Sequence, residues 1–204
     1  MSTSQLGQDM EVLKFYNNKE GGFFVDIGAN DGIEFSNTFL LERNYEWKGI
    51  CAEPNPEVFK LLVKNRPNSL CCDAAIYSLS YKNLLFDVAN NYDLMSGLSD
   101  HLDVHKEYVN RDKKQIVVKT LTLTDLLDKA KAPSFIDYLS LDTEGSEFEI
   151  LRATDFSRYT FGLIDVEHNF VEPRRTEIRN LLLSHGYVYL RENQFDDSYK
   201  HSSL

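Results

Sequence analysis

Short apolar runs alternate with segments of helical spacing along most of this chain. Strands that alternate with helices are joined by right-handed crossovers and form a mainly parallel sheet with helices on both faces. The pattern therefore predicts an α/β fold. The predicted strands are residues 23–27, 47–53, 69–76, 84–88, 115–120, 135–142, 161–167 and 187–191. The predicted helices are residues 35–45, 57–64, 122–129, 146–153 and 174–184.

Polar or glycine-rich clusters directly follow five of the predicted strands. In sheets of this kind the ligand lies beyond the carboxyl ends of the strands. We therefore expect the functional residues to come directly after the strands and to meet at one edge of the sheet.

Length and charge limit the classes of protein to consider. A chain of 204 residues is expected to form a single domain, residues 1–204. With 22 Lys and Arg against 32 Asp and Glu, the net charge is −10, which argues against a nucleic-acid partner because such binding depends on neutralising phosphates. The chain has no signal-like start and no apolar run of the roughly 20 residues that span a bilayer. We expect a cytoplasmic protein without a membrane span.

The three cysteines, Cys51, Cys71 and Cys72, fit neither a disulfide framework nor a zinc site. We interpret them as small apolar residues of strands in a reducing compartment.

The loop after the first predicted strand contains Asp26, Gly28, Asn30, Asp31 and Gly32. Glycines permit positive φ and close approach of the backbone to a ligand. A dinucleotide loop has the spacing Gly-x-Gly-x-x-Gly, but here Asn30 takes the place of the second glycine. The carboxylates would repel a pyrophosphate and attract the ammonium and sulfonium groups of S-adenosylmethionine. We interpret the loop as a site for that cofactor, with an ordinary tight turn as the alternative.

Two further clusters suit the nucleoside part of such a ligand. Glu53 follows the second predicted strand, where an acidic side chain can accept hydrogen bonds from both ribose hydroxyls. Asp73 follows the third and could accept from an adenine amino group, with Ala74 supplying a backbone N–H. The alternatives are a solvated acid before a proline turn for Glu53 and an ordinary surface residue for Asp73.

Acidic residues and a histidine stand at the ends of the strands predicted at residues 135–142 and 161–167. Asp142 and Glu144 lie at one strand end, and Glu167 and His168 lie at the other. Neighbouring carboxylates repel each other unless a proton or a cation lies between them. Oxygen and imidazole donors from adjacent strand ends can bind Mg²⁺ or Mn²⁺, so we predict Asp142, Glu167 and His168 as metal ligands. A hydrogen-bonded structural histidine is the alternative for His168.

Several segments together resemble the FkbM family of S-adenosylmethionine-dependent methyltransferases. They are residues 4–9, 22–32, 35–38, 53–56, 95–98 and 139–145. The resemblance implies the Rossmann-like class I methyltransferase fold, a seven-stranded sheet whose reversed last strand would be residues 194–201. It also implies methyl transfer to a hydroxyl oxygen, often of a sugar or a polyketide.

The same resemblance implies roles for individual residues. Asp26, Gly28 and Gly32 would hold the methionine part of the cofactor, Glu53 the ribose, and Asp73 with Ala74 the adenine. The acidic clusters are also similar to those of metal-dependent sugar O-methyltransferases, in which the first carboxylate of the pair and two residues after the fifth strand bind Mg²⁺. In those enzymes the second carboxylate can be the base, and an Asp often stands at the position of His168.

We hypothesise Glu144 as the general base, His168 as a second candidate, and Asp142 as the residue that holds a metal to polarise the hydroxyl. A sugar or glycan hydroxyl is the expected acceptor. Residues 90–111 would overhang the site with side chains such as Tyr92, Asp93 and His105, unless they form a mobile surface loop. At the amino terminus Gln5, Gln8 and Asp9 would cover the cofactor or cap the first helix.

Other functions remain open at this point. The hydroxyl could belong to a polyketide or another small molecule. The alternating architecture is shared by nicotinamide-dependent oxidoreductases, although the glycine loop departs from their pattern. The basic pair Arg174 and Arg175 would suit a methyltransferase acting on a polyanion, and a non-catalytic cofactor-binding module would bind the donor without turnover.

Overall fold

The computed structural model describes residues 2–90, 95–102 and 104–204. The helices are α1 (Gln8–Phe15), α2 (Phe39–Tyr45), α3 (Pro56–Asn65), α4 (Lys106–Val109), α5 (Leu123–Ala130), α6 (Glu147–Arg152) and α7 (Arg174–Ser184). The strands are β1 (Phe23–Ile27), β2 (Lys48–Ala52), β3 (Leu70–Cys72), β4 (Ala75–Ile76), β5 (Asn83–Ala89), β6 (Gly97–Leu98), β7 (Lys113–Leu121), β8 (Phe135–Leu141), β9 (Thr160–Glu167), β10 (Tyr187–Asn193) and β11 (Asp196–His201).

Seven strands form the main sheet in the order β10-β11-β9-β8-β1-β2-β3. Neighbours among β3, β2, β1, β8 and β9 are parallel, whereas β11 runs antiparallel to both β9 and β10. This confirms the expected class I architecture with a reversed last strand. Because β1 pairs with both β2 and β8, the ends of these three strands lie side by side.

A second, four-stranded sheet has the order β4-β7-β5-β6. Its centre is the antiparallel pair of β5 and β7, in which Leu85 lies opposite Val117. The prediction of one strand over residues 69–76 was wrong: β3 pairs with β2 in the main sheet, while β4 pairs with β7 in the second sheet. The chain changes sheets at residues 73–74, because β7 offers β4 a partner that the sequence did not reveal.

Helices cover both faces of the main sheet, so the side chains on both faces of its strands are buried. Val25 and Ile27 of β1 pack in one buried cluster with Leu127 of α5, whereas Phe24 packs in another with Leu13 of α1. Successive side chains of a strand point to opposite faces. The site is therefore carried at the edge of a sheet that is buried on both sides.

Two helix starts depend on local side chains. α3 begins as its sequence predicts, with Asn55 accepting a hydrogen bond from the N–H of Glu57 and with Pro56 in the first turn. α2 begins at Phe39 rather than at residue 35. Phe35 has a φ of 56° and forms a parallel bridge with Ser4, so that residue lies outside the helix.

Among the described residues, we find no helix of the length and apolar character that a bilayer crossing requires.

Candidate functional site

Two cavities adjoin at the carboxyl edge of the main sheet. The inner cavity, of about 70 Å³, lies between the main sheet and the second sheet, and Glu53, Ala74, Phe86 and Leu98 line it. The outer cavity has a volume of about 420 Å³. Gly28, Asn30, Asp142 and Glu144 line both cavities. One elongated ligand could therefore occupy parts of each.

Gly28 forms the junction between the two cavities. Its φ is 85°, and a Cβ at this position would lie 1.7 Å from the backbone oxygen of Asp142. The loop is fixed by hydrogen bonds from the N–H groups of Gly28 and Ala29 to the oxygen of Ala52, each 3.0 Å. Asn30 follows with a φ of 48°. The sequence places a glycine here because no side chain fits between the ends of β1 and β8.

Asp31 and Gly32 stabilise the loop from behind. The Oδ1 atom of Asp31 accepts hydrogen bonds from the N–H groups of Ile33 and Glu34. Gly32, with a φ of 80°, packs against the side chains of Leu62 and Arg66. The structure thus gives Gly32 contacts with the protein interior rather than a place in the cavity wall.

Asp26 is buried in the wall of the outer cavity. Its Oδ2 atom accepts a hydrogen bond of 2.6 Å from the hydroxyl of Thr38. Burial raises the pKa of Asp26, while the charge of Arg66 and the hydrogen bond from Thr38 oppose that rise. A cationic ligand group would favour the ionised form further.

The predicted nucleoside contacts separate into two places. Glu53 is buried beside the inner cavity, and its Oε1 atom accepts a 2.7 Å hydrogen bond from the N–H of Asn55. Ala74 lines the same cavity. Asp73 is exposed and lines a third cavity of about 670 Å³ between β3 and α5. The structure brings Glu53 and Ala74 together at the inner cavity and leaves Asp73 outside it, while Ala74 also lines the third cavity.

Three carboxylates meet where the two cavities adjoin. One oxygen each of Asp142, Glu144 and Glu167 lies within 4.8 Å of the others. Burial, followed by the charge of Glu147, raises the pKa of Asp142 to about 7. Burial and the charges of Asp142 and Glu144 hold the pKa of Glu167 well above its usual range. At neutral pH this cluster retains a proton unless a cation binds.

Glu147 holds the loop that carries Glu144. Its Oε1 atom accepts hydrogen bonds from the N–H groups of Thr143 and Gly145, at 2.9 and 3.0 Å, and from the Thr143 hydroxyl. Glu144 itself has a φ of 59°, a conformation that is uncommon for a residue with a side chain. The hydrogen bonds to Glu147 maintain this conformation and turn Glu144 toward the cavities.

His168 does not join the carboxylates, contrary to the prediction that it is a metal ligand and a second base. It is buried, its Nδ1 atom accepts a hydrogen bond from the N–H of Phe170, and its Nε2 atom lies 3.4 Å from Asp197 Oδ1. His168 comes directly after the end of β9 and lies by Asp197 of β11, away from the three carboxylates. Glu144 takes its place in the cluster.

The outer cavity also has polar, uncharged walls. The buried atoms Asn37 Oδ1 and Asn169 Nδ2 have no hydrogen-bond partner within the described part of the chain, and both residues line this cavity. His105 lines it too, with Nε2 at 3.6 Å from Glu144 Oε2. These groups can both donate to and accept from a ligand rich in hydroxyls.

The amino terminus and residues 90–111, which were predicted to cover the site, supply some of the residues that line the outer cavity. Gln5 and Gln8 line the outer cavity, whereas the buried Asp9 accepts hydrogen bonds from Ser2, Thr3 and Ser4. From residues 90–111, Met95, Val104 and His105 reach the outer cavity. Tyr92 and Asp93 lie outside the described residues.

Glu147 and Asp196 belong to the site although the sequence patterns did not indicate them. Asp196 is buried in the wall of the outer cavity and accepts a 2.7 Å hydrogen bond from Gln8 Nε2. Burial and the charge of Asp142 raise its pKa to about 7. A signal existed for Glu147, which follows Glu144 by three residues at the start of a predicted helix. No local pattern distinguishes Asp196 from its neighbour Asp197.

The basic pair on α7 makes internal contacts. Arg174 Nη1 donates to the oxygen of Gly145, and Arg175 forms ion pairs with Asp197 and Glu192. These contacts stabilise the site loop and the end of the sheet.

The residues present fit both S-adenosylmethionine and a divalent cation. The tight approach of Gly28 to Asp142, together with the acidic walls, suits a positively charged ligand that passes between the cavities. The buried Glu167 Oε2 atom has no hydrogen-bond partner among the described residues, and it lies in the cluster of three carboxylates. Oxygen donors of this kind are the ligands that Mg²⁺ and Mn²⁺ prefer.

Comparisons with known proteins identify the family and the fold of the chain. A family model described as the methyltransferase FkbM domain matches residues 26–189. No curated protein gives a sequence match. An FkbM methyltransferase structure from Methylobacillus flagellatus KT has a TM-score of 0.51 at 12% identity, over 89% of this chain and 44% of that one.

Two other solved structures share the fold. Precorrin-6y C5,15-methyltransferase from Geobacter metallireducens GS-15 has a TM-score of 0.52 at 12% identity, over 94% of this chain and 87% of that one. A TehB-like S-adenosylmethionine-dependent methyltransferase from Corynebacterium glutamicum has a TM-score of 0.52 at 8% identity, over 97% and 88%. At such low identity these structures establish a common fold and leave the acceptor open.

Proposed function

This chain belongs to the FkbM methyltransferase family, and from that premise we propose that it transfers a methyl group from S-adenosylmethionine to a hydroxyl oxygen of a sugar or glycan. The observation that supports a hydroxyl acceptor is the outer cavity, where buried amide atoms of Asn37 and Asn169 lie near a cluster of carboxylates. Buried polar atoms of this kind are costly unless a ligand pairs with them.

The methyl donor would extend across both cavities. Its ammonium group would lie by Asp26, its backbone contacts would come from the loop at Gly28 and Asn30, and its ribose would lie by Glu53 in the inner cavity. Ala74 would contact the adenine. The methionine role predicted for Gly32 becomes indirect, through support of the loop, and an adenine contact for Asp73 remains a prediction.

Glu144 is the general base of this proposal. The acceptor oxygen attacks the methyl carbon, the carbon–sulfur bond breaks, and S-adenosylhomocysteine leaves, while the hydroxyl proton passes to Glu144. Sulfonium is a good leaving group, so alignment of the two reactants provides much of the acceleration, roughly 7–11 kcal/mol. The fixed loop conformation of Glu144 is suited to that alignment.

A divalent ion is the second part of the proposal. Asp142 and Glu167 would hold it, with Glu144 close enough to contribute a further oxygen. When bound, the ion would polarise the acceptor hydroxyl and lower its pKa. His168 is left out of this ligand set because its ring faces Asp197.

The test is mass spectrometry of candidate glycans after incubation with isotope-labelled S-adenosylmethionine, with and without a chelator. A glycan that gains one labelled methyl group supports the proposal, and loss of the product on chelation supports the ion. Methylation of a carbon or nitrogen atom instead would contradict it.

Glu144→Gln should lower turnover on the order of 10²–10⁴-fold while changing donor affinity far less. Glu149→Gln is the matched control, since Glu149 pairs with Arg152 on the surface of α6. Full turnover in Glu144→Gln would exclude Glu144 as the base.

A further inference from the structure

Arg66 is a buried cation behind the loop that separates the cavities from the protein interior. Its Nε atom forms a 2.7 Å ion pair with Glu42, and Nη1 contacts the oxygen of Gly32 at 3.2 Å. The residue is 1% exposed. An arginine buried this completely needs charged and polar partners to offset the loss of water.

A line of buried polar contacts leads from Arg66 to the outer cavity. Arg66 Nη1 lies 3.3 Å from Ser36 Oγ, which lies 3.5 Å from Thr38 Oγ1. The Thr38 hydroxyl donates to Asp26 Oδ2 at 2.6 Å. All four residues are more than nine-tenths buried, so their mutual geometry is strongly fixed.

We propose that Arg66 is a positioning residue for the methyl donor: through Ser36 and Thr38 it fixes the Asp26 carboxylate that receives the donor's ammonium group. The inference rests on the proposed function, in which Asp26 lies beside the methionine part of the donor. Arg66 does not touch the ligand.

Electrostatics support the same arrangement. Burial alone favours the neutral form of Asp26, and the charge of Arg66 is the leading influence that lowers its pKa again. A neutral carboxyl would attract an ammonium group far less than a carboxylate. Arg66 therefore offsets part of the cost of a charged Asp26 in this buried position.

The experiment compares two thioethers by calorimetry on the full chain. S-adenosylhomocysteine carries the ammonium and carboxylate groups of the methionine part, whereas 5′-methylthioadenosine lacks both and retains the nucleoside. Asp26→Asn, Thr38→Val and Arg66→Met should each weaken S-adenosylhomocysteine about tenfold and change methylthioadenosine by less than about twofold.

Matched controls separate this role from general stability. Thr154→Val removes a buried hydroxyl that bonds to Ile150 in α6, and Arg158→Met removes a surface ion pair with Asp128. Both should bind the two thioethers as the wild type does. Thr38→Val leaves the Arg66–Glu42 pair intact, so it tests the inference even if Arg66→Met fails to fold.

The results distinguish two failures. If Asp26→Asn weakens S-adenosylhomocysteine selectively while Thr38→Val and any folded Arg66→Met do not, the inference about Arg66 is overturned and the donor site stands. If Asp26→Asn leaves the ratio of the two affinities unchanged, the proposed donor placement is wrong, and the inference falls with it. Equal losses for both thioethers in Thr38→Val would mean a merely structural role.

Discussion

Gly28 shows how a single residue determines the shape of the site. The loop after β1 meets the end of β8 here, and the oxygen of Asp142 occupies the space that a Cβ would need. Gly21 also has a positive φ, but a Cβ there would meet nothing within 4 Å. Comparing substitutions at Gly21 and Gly28 therefore separates the energetic cost of backbone conformation from the cost of close packing.

Gly28→Ala should abolish donor binding and lower the free energy of unfolding by more than Gly21→Ala. Both changes place a side chain on a residue with left-handed backbone conformation, which costs roughly 1–2 kcal/mol. Only Gly28→Ala also brings the new Cβ into the backbone oxygen of Asp142. Calorimetry with S-adenosylhomocysteine and urea denaturation would measure the two effects. Equal destabilisation of the two variants would contradict the packing argument.

Asp196 makes stability depend on pH near neutrality. Its folded pKa is about 7, whereas an unfolded Asp titrates near 3.9. The stability that its neutral form contributes is fully present below about pH 4 and is lost as the pH rises through about 7. Stabilities of the wild type and of Asp196→Asn should therefore diverge over this range.

Between pH 4 and pH 8 the free energy of unfolding of the wild type should fall relative to that of Asp196→Asn by on the order of 2–4 kcal/mol. The asparagine oxygen can still accept the hydrogen bond from Gln8, so packing changes little. Urea denaturation of both proteins across this range gives the measurement. Parallel curves would show that Asp196 titrates normally.

At the scale of elements, Asp197 joins the reversed strand β11 to its neighbours. It forms ion pairs with Arg175 and Arg179 of α7 and lies near His168 at the end of β9. Burial opposes ionisation, but the contacts with His168, Arg175 and Arg179 hold the pKa of Asp197 well below its usual range. The histidine predicted to be catalytic thus belongs to a structural cluster.

Asp197→Asn should destabilise the protein by about 1–3 kcal/mol, because it leaves the partly buried Arg175 and Arg179 without their carboxylate. Asp128→Asn is the comparison: its pair with Arg158 is at the surface and should be worth about 0–1 kcal/mol. Urea denaturation at pH 7 measures both. Similar costs for the two variants would show that the Asp197 cluster contributes no more than a surface pair.

At the scale of the whole molecule, the inner cavity exists only because two sheets meet. Glu53 comes from the end of the main sheet, whereas Phe86 and Leu98 come from the second sheet. A ligand that bridges them should stabilise the folded chain as a unit, since it binds the native state alone.

S-adenosylhomocysteine at a hundredfold excess over its dissociation constant should raise the free energy of unfolding by about 2.7 kcal/mol. NADH at the same concentration should have no such effect, because acidic side chains lie where its pyrophosphate would bind. Thermal or urea denaturation with each ligand provides the comparison. Stabilisation by NADH alone would revive the oxidoreductase interpretation.

Local sequence determined much of this protein. Apolar runs between helical segments predicted the parallel strands of the main sheet, because a strand buried on both faces must be apolar throughout its length. The rule that ligands lie beyond strand ends then indicated Asp26, Gly28, Glu53 and Asp142, each of which lines one or both of the cavities.

Tertiary structure alone decided which neighbours meet. Residues 69–76 read as one strand, yet they divide between two sheets because β7 supplies a partner from more than 40 residues away. His168 and Glu167 are adjacent in sequence, yet Glu167 lies with Asp142 and Glu144 whereas His168 lies by Asp197. The line from Arg66 to Asp26 joins residues 40 positions apart. Sequence patterns indicate which elements form and which of their faces are buried. The ion pairs and the possible metal ligands of a site depend instead on distances between elements, which packing fixes.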